Sequence, residues 1–499
     1  MDVMNKKSLT IYIVIALVAV LLANVVARNM FFRLDFTDNK MYSLSKSSKA
    51  VLNKIDDLMT VKVYFSENLP GEYGNNRRFL QDILEEYSAY SDGKLRFEFY
   101  KPDNDEELTQ EAQKYGIQPV QLQVVENDKM EIKRVHMGMV ILYEDKRESI
   151  PIIQTTTGLE YDITTKIKKL VDTQQKSVAF ATAAHQTSKN ENIANALRES
   201  YQVQNIQLAN PIPPTVQMVL VNGMTDSLSA TEYANLQNYV SNGGNILMGQ
   251  SRVSADLQSQ QGTPIQSNIF NLTDQFGLHI QENLVLDKKC GSVTVQQRNG
   301  IFSYNTAMEY QFFPLIRDFN DHTIVSGLEQ LRLFFTSEII ADTTGSGSIL
   351  PLFSSSNRSG AMTGRYSLSP IDNPILKNLS QPPKLVAAYA TASFGENSGL
   401  SQLILVGDSE LMSDNGGGRS PENMVFVMNA VDFLIGDSDL VALRSREITT
   451  RPLGELEDAS KARWKWLNIL LPALLVIGFG FINWKRESGR TKLLEELYD

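Results

Sequence analysis

The chain has 499 residues, a formal charge of −10, 42% hydrophobic and 21% charged residues, so it is too long for one compact core and too polar for a polytopic membrane bundle. A pI near 5.2 and the lack of any Lys/Arg-dense stretch in the body set aside a nucleic-acid partner, because phosphate binding needs a basic face. Cys290 is the single cysteine; it excludes an intrachain disulfide and a Cys-based zinc cluster, and reads as a small apolar residue rather than a reactive thiol.

A short tail, 1–8, carries Lys6 and Lys7 ahead of an apolar run at 9–27, LTIYIVIALVAVLLANVVA, in which only Asn24 is strongly polar. At about 1.5 Å per residue this run nearly matches a bilayer core of about 30 Å. Val25 and Ala27 offer a small-residue cleavage site, but the run exceeds a usual signal h-region, so it is expected to be an uncleaved transmembrane anchor. Residues 28–60 read as a stalk, with Ser45 capping a helix over 46–58.

Residues 61–172 follow as a domain. A strand is expected at 61–66, a helix at 77–91, a strand at 95–100 and a helix near 106–115. After the turn Gly116-Ile117-Gln118-Pro119 come the strands QLQVVE and HMGMVILYED, and then a helix over 159–171. The order β-α-β-α-β-β-α is that of a thioredoxin-like fold, and the turn is similar to the thioredoxin proline loop, which makes Pro119 a candidate cis-proline. Thioredoxin chemistry requires Cys-x-x-Cys after the first strand, where this chain has Glu67-Asn68-Leu69-Pro70, so the domain is expected to be a scaffold.

A polar stretch at 173–176 marks a boundary, and a doubly wound α/β domain with a parallel sheet is expected over 177–440. Its elements are SVAFATA, a helix near 190–200, YQVQNIQL, VQMVLVNG, the helix TEYANLQNYVSNGG and NILMGQS, with Gly243 and Gly244 ending that helix in a left-handed cap. Residues 251–400 read as an irregular, Ser/Gln/Gly-rich insert of unassigned topology. The strand at 402–409 and the helix at 422–436 then complete the sheet.

A juxtamembrane segment, 441–466, precedes a second transmembrane helix at 467–484, whose apolar part is LNILLPALLVIGFGFI. Trp464, Trp466 and Trp484, all the tryptophans of the chain, bracket it, as expected of rings at a membrane interface. Pro472 is tolerable there, because neighbouring groups can re-satisfy the freed carbonyl. In the tail 485–499, Leu493, Leu494 and Leu497 share one helical stripe. Two spans put both termini on one side, and the short basic N-terminus favours a cytoplasmic location for them and an extracytoplasmic body.

Chemistry is sparse. No G-x-x-x-x-G-K-[ST] phosphate loop, no G-x-G-x-x-G and no G-x-S-x-G elbow occurs. His136, His185, His279 and His322 lie far apart without metal-ligand spacing. Asp408 and Ser409 end a parallel strand and His185 follows another, so these residues form a possible ligand crevice. A strand-to-helix turn using Asp and Ser for backbone hydrogen bonds is the simpler explanation of the pair. No catalytic residue, metal or cofactor is expected.

The succession DFTDNKMYSLS, VKVYFSENLP, DILEEYSAYS, LEYDITTKIKKL and YVSNGGNILM, with both membrane segments, resembles the GldG-type auxiliary proteins of ABC transporters. The resemblance covers nearly the whole chain. It implies a non-catalytic accessory subunit of the bacterial inner membrane, working beside a separate permease and ATPase, as in gliding-motility machinery. It also implies that the doubly wound domain is amidotransferase-like and similar to a domain of intraflagellar transport proteins. Amidotransferases use a cysteine nucleophile at a strand-to-helix elbow, whereas Cys290 lies in the insert. Two rivals are a stand-alone receptor for a sugar or peptidoglycan fragment, and a hydrolase or transferase with a dispersed site.

Overall fold

The computed structural model describes residues 15, 16, 18, 43–67, 69, 71–126, 129–172, 174–187, 189–299, 302–344, 347–371, 373–377, 379–394, 399–447 and 458–498. They fall into two compact units, Met1–Thr449 and Thr450–Asp499. The expected first span at 9–27 lies outside the described residues, save for Ile15, Ala16 and Val18, which are helical.

In the first unit, Ser45 caps α1 (Lys46–Leu52), its hydroxyl accepting the Ser48 N–H at 3.0 Å. The expected stalk is corrected from residue 43 onward. Leu44, Val51, Leu52 and Ile55 are buried in the core, and the Glu160 carboxylate accepts the Ser45 N–H at 2.7 Å and the Ser48 hydroxyl at 2.6 Å. Serines that read as solvated spacer instead satisfy a buried carboxylate.

β1 (Met59–Phe65), α2 (Gly71–Tyr90), β2 (Leu95–Tyr100) and α3 (Glu106–Lys114) follow. Next come β3 (Val120–Glu126), β4 (Lys129–Val135), β5 (Met137–Tyr143), β6 (Lys146–Ile150) and α4 (Leu159–Val171). Among the described residues these strands form a four-stranded sheet in the order β2-β1-β5-β6, with β1 and β2 parallel and the other pairs antiparallel. QLQVVE is not a strand of that sheet: β3 pairs with β4 as a separate hairpin. The place beside β1 goes to β5, whose run MGMVILY is buried at all but one position. No cis peptide occurs among the described residues, so Pro119 is trans. It precedes the separate hairpin rather than a strand of the main sheet, and the thioredoxin-loop geometry that would demand the cis form is not built.

The larger sheet begins with β7 (Ser177–Thr182), α5 (Glu191–Arg198), β8 (Gln202–Gln207), β9 (Val216–Asn222), α6 (Ala230–Ser241) and β10 (Asn245–Gly249). Gly243 follows α6 with φ +87°, the left-handed conformation a glycine adopts without Cβ strain. The 251–400 segment is strand-rich. β11 (Val253–Asp256) pairs with β12 (Gln261–Pro264), and α7 (Ile269–Gln275) leads to β13 (Leu278–Ile280) and β14 (Leu284–Asp287). β15 (Cys290–Asn299) and β16 (Phe302–Ile316) form a long hairpin, extended by β17 (Leu331–Arg332). β18 (Ile339–Ala341), β19 (Ile349–Ser354), β20 (Ser359–Met362), β21 (Leu385–Ala392), β22 (Ser401–Val406), α8 (Pro421–Ile435) and α9 (Ser438–Glu447) complete the unit.

Among the described residues the large sheet has seven strands in the order β19-β21-β22-β10-β9-β7-β8. From β8 to β22 all neighbours are parallel, but β21 and β19 join antiparallel. The expected parallel sheet is thus present from β8 to β22, and two strands of the 251–400 segment extend it at one edge in the antiparallel sense. Alternate residues of the central strands face opposite ways. Phe180, Leu220, Leu247 and Ile404 meet α5 and α8 on one face, while Ala179, Val219, Ile246 and Leu403 meet α6 and α7 on the other.

Residues 441–447, expected as juxtamembrane, belong to buried α9. Arg444 is 8% exposed and donates to Asp432 at 2.8 Å and to the side chains of Asn429 and Tyr161. Tyr201 donates to the other Asp432 oxygen at 2.5 Å. A charge removed from water needs such partners, and this cluster ties α4, the turn before β8, α8 and α9 together.

In the second unit, α10 (Asp458–Tyr498) runs 41 residues through Pro472 without a break. Its segment Ser460–Arg486, whose most apolar 18-residue stretch has mean hydropathy 1.9, is long and apolar enough to cross a membrane. Trp464, Trp466 and Trp484 are exposed on it. The side chains of Leu493, Leu494 and Leu497 lie outside the described ones.

Candidate functional crevice

From β7 the chain moves outward to β8, returns past β7 to β9, and continues through β10 to β22. The direction of travel reverses between β7 and β9, and open α/β sheets bind ligands beyond the carboxyl ends of strands at such a point. A cavity of about 720 Å³ lies there, lined by the loops after β7, β9, β10 and β22 and by residues of the 251–400 segment.

His185 and Ser409 both line it. The Ser409 hydroxyl accepts the Ser251 N–H at 2.8 Å and pairs with the Ser251 hydroxyl at 2.8 Å. His185 Nε2 faces Asp226 at 3.5 Å, with both side chains largely exposed. Among the described residues no hydrogen bond joins His185 to Ser409, so the pair does not form the nucleophile–base contact of a serine hydrolase. Asp408 lies beneath the cavity, fully buried. Its carboxylate accepts the N–H groups of Phe334 at 2.8 Å and Glu410 at 2.7 Å, and burial pushes its pKa up to about 8.

Other residues shape the crevice. Gln186 donates to the Gly223 carbonyl at 2.7 Å, closing the loops after β7 and β9 on each other. Gly223 has φ +60°, and a Cβ there would stand 2.9 Å from the Ser409 carbonyl oxygen, so only glycine passes this point without strain. Glu232 and Ser229 form a capping box on α6, and the Glu232 carboxylate also accepts the Ala184 N–H at 2.7 Å. Those backbone hydrogen bonds hold its carboxyl below the usual range. Asp414 accepts the Glu191 and Asn192 N–H groups at 3.0 and 2.8 Å, so the chain's own carboxylate fills the N-terminus of α5. Val253, Val293, Phe313, Phe334 and Phe335 also line the cavity. Phe335 has φ +52°, a strained conformation for an aromatic residue.

The capping box was readable from Ser229-Ala-Thr-Glu232. The aromatic wall gave no such signal, because it depends on how the 251–400 segment folds back. The other histidines are scattered. His136 is buried, which lowers its pKa; His279 pairs with Asp274 at 2.6 Å; His322 accepts the Ile324 N–H at 3.2 Å. Among the described residues no group of three or more His, Cys, Asp or Glu side chains is placed to hold a metal. Cys290 is half-buried, and burial pushes its thiol up to about 11.

Residues 175–436 match the family described as an ABC-type uncharacterized transport system, and residues 38–142 match a domain of unknown function. An uncharacterized protein of Borreliella burgdorferi is 22% identical over 490 residues, covering 91% of this chain and 93% of its own length. Among solved structures, the mmIFT52 N-terminal domain aligns over 52% of this chain and 97% of that one, at 16% identity and a TM-score of 0.33. A ThuA-like protein from Parabacteroides merdae aligns over 57% and 94%, at 11% identity and a TM-score of 0.26.

Proposed function

The chain belongs to the family of ABC-type uncharacterized transport systems, and from that premise we propose that it is a GldG-type, non-catalytic subunit holding a ligand-binding body beside a separate permease and ATPase. Its accessory role in an ABC transport system follows from the family. The observation that carries the finer reading is the crevice, where a polar floor and an aromatic wall enclose a cavity but the His185 and Ser409 side chains are engaged elsewhere. In this reading the crevice is a binding site.

In this reading the 43–172 region is a thioredoxin-like scaffold, a view supported by the order β2-β1-β5-β6 with its first pair parallel. The sheet from β8 to β22 is the amidotransferase-like part. Residues 9–27 and α10 are two transmembrane anchors, the body is extracytoplasmic, and gliding motility is one process such a complex would serve.

Affinity purification of the full chain from membranes in mild detergent tests the proposal. Co-isolation of an ABC permease and an ATPase in near-stoichiometric amounts is expected. A chain that purifies without either would overturn it.

A further inference from the structure

Resting on the reading of the crevice as a binding site, we infer that its ligand is an uncharged, hydroxyl-rich saccharide lying with its apolar face on Phe334, the partly exposed ring of an aromatic cluster whose Phe313 and Phe335 are buried. Four observations carry this. The first concerns charge. In an open α/β sheet the N-terminus of a helix after a switch-point strand is where a phosphate or carboxylate would sit, and here Asp414 already accepts the N–H groups of Glu191 and Asn192. A ligand phosphate brought there would meet that carboxylate.

The second is the balance of the remaining charges. Lys189 and Glu410 both line the cavity, and His185 is turned to Asp226, so no field of one sign selects an ion.

The third is the chemistry of the two walls. The loops after β7, β9 and β22 supply amides and hydroxyls such as Gln186, Asn222, Thr225 and Ser413, each able to both donate and accept. The 251–400 segment adds apolar groups to the lining, Val253, Val293 and Phe334 among them. A sugar ring has this same division, with C–H bonds on its faces and hydroxyls around its edge. An acyl chain would leave the polar floor unpaired, at the cost of desolvating groups that gain no partner.

The fourth is the way the aromatic wall is held. The Phe334 N–H is fixed by the buried Asp408 carboxylate, the Phe335 N–H donates to the Phe312 carbonyl at 3.0 Å, and Phe335 keeps φ +52°. Strained backbone that its surroundings over-determine concentrates at ligand clamps. At about 720 Å³ the space suits a small oligosaccharide.

The test uses the full chain in nanodiscs and ligand-observed saturation-transfer NMR with calorimetry. The probes are cellotriose, chitotriose and maltotriose, with glucose 6-phosphate and lauric acid as competing chemistries. At least one neutral trisaccharide is expected to bind in preference to the phosphorylated sugar and the fatty acid. Phe334→Ala should weaken that binding about tenfold through loss of the stacking face. Ser254→Trp, an exposed position on the cavity rim, should abolish it while leaving the melting temperature unchanged. Preference for glucose 6-phosphate or lauric acid, binding of none of the five, or trisaccharide binding indifferent to both substitutions would each overturn the inference. None of these outcomes alters whether permease and ATPase co-isolate, so failure here is distinguishable from failure of the subunit assignment.

Discussion

Asp408 is the residue on which the crevice depends most, although it faces none of the cavity. Its two oxygens accept two backbone N–H groups, one from the aromatic wall and one from the loop after β22. An asparagine there can accept only one of them, because its amide nitrogen is a donor. Asp408→Asn is therefore expected to cost about 1–3 kcal/mol, the penalty of a buried donor left without a partner, and to loosen Phe334. Burial also raises the Asp408 pKa from 3.8 to about 8. A folded-state pKa above the unfolded one makes the contribution greatest below the unfolded value and progressively lost as pH rises toward the folded one. Thermal denaturation of wild type and Asp408→Asn should thus give a wider stability gap at pH 5 than at pH 8; a gap independent of pH would count against this titration. By contrast, the double substitution His185→Ala and Ser409→Ala removes groups that line the cavity, so it is expected to weaken ligand binding while permease and ATPase still co-isolate; turnover of a saccharide by the wild-type chain that the double variant lacks would revive the hydrolase alternative.

At the scale of elements, α9 acts as a clasp, because Arg444 joins it to α4 through Tyr161 and to α8 through Asn429 and Asp432. Arg444→Met should destabilise the unit by about 3–5 kcal/mol, since it strands a buried carboxylate. Adding Asp432→Leu should recover much of that loss, because an apolar pair of similar volume needs no charge compensation. Guanidinium denaturation of the single and double variants measures both, and a double variant no more stable than Arg444→Met would refute the account. α9 was misread from sequence as juxtamembrane linker, because SDLVALRSRE is short and its arginine looks solvated until Asp432 is seen beside it. The central strands were legible for the opposite reason. Burial on both faces turns VQMVLVN and NILMG into continuous apolar runs that hold in any context. β19 was not legible, since an antiparallel edge strand that includes Pro351 carries little pattern of its own, and β21, though an apolar run, gives no local sign that it pairs antiparallel between β19 and β22. The site divides likewise. His185 and Ser409 follow from the strand-end rule, whereas Phe313, Phe334 and Phe335 reach the same cavity only through pairings of β14, β16 and β17 that no local signal announces.

For the whole molecule, the decisive question is how many times it crosses the membrane. α10 offers a candidate span at Ser460–Arg486 whose most apolar 18-residue stretch has mean hydropathy 1.9, with every tryptophan of the chain exposed along it. The run at 9–27 is uncharged and itself long enough to match a bilayer core. If both span, the body is tethered at each end, and removing one tether should not release it. A chain truncated after Glu447 is expected to stay in the membrane fraction after carbonate washing and to need detergent for extraction. Appearance of this truncated chain in the soluble fraction would leave α10 as the sole anchor. The same geometry predicts the side on which the body lies. Long domains translocate largely regardless of their charge, so in the proposed topology the short basic N-terminus with Lys6 and Lys7 would set the orientation. Protease added to intact spheroplasts carrying the full chain should degrade the body and spare an epitope placed after Asp499. A protected body would reverse the orientation and put the crevice on the ATPase side, where an envelope saccharide could not reach it.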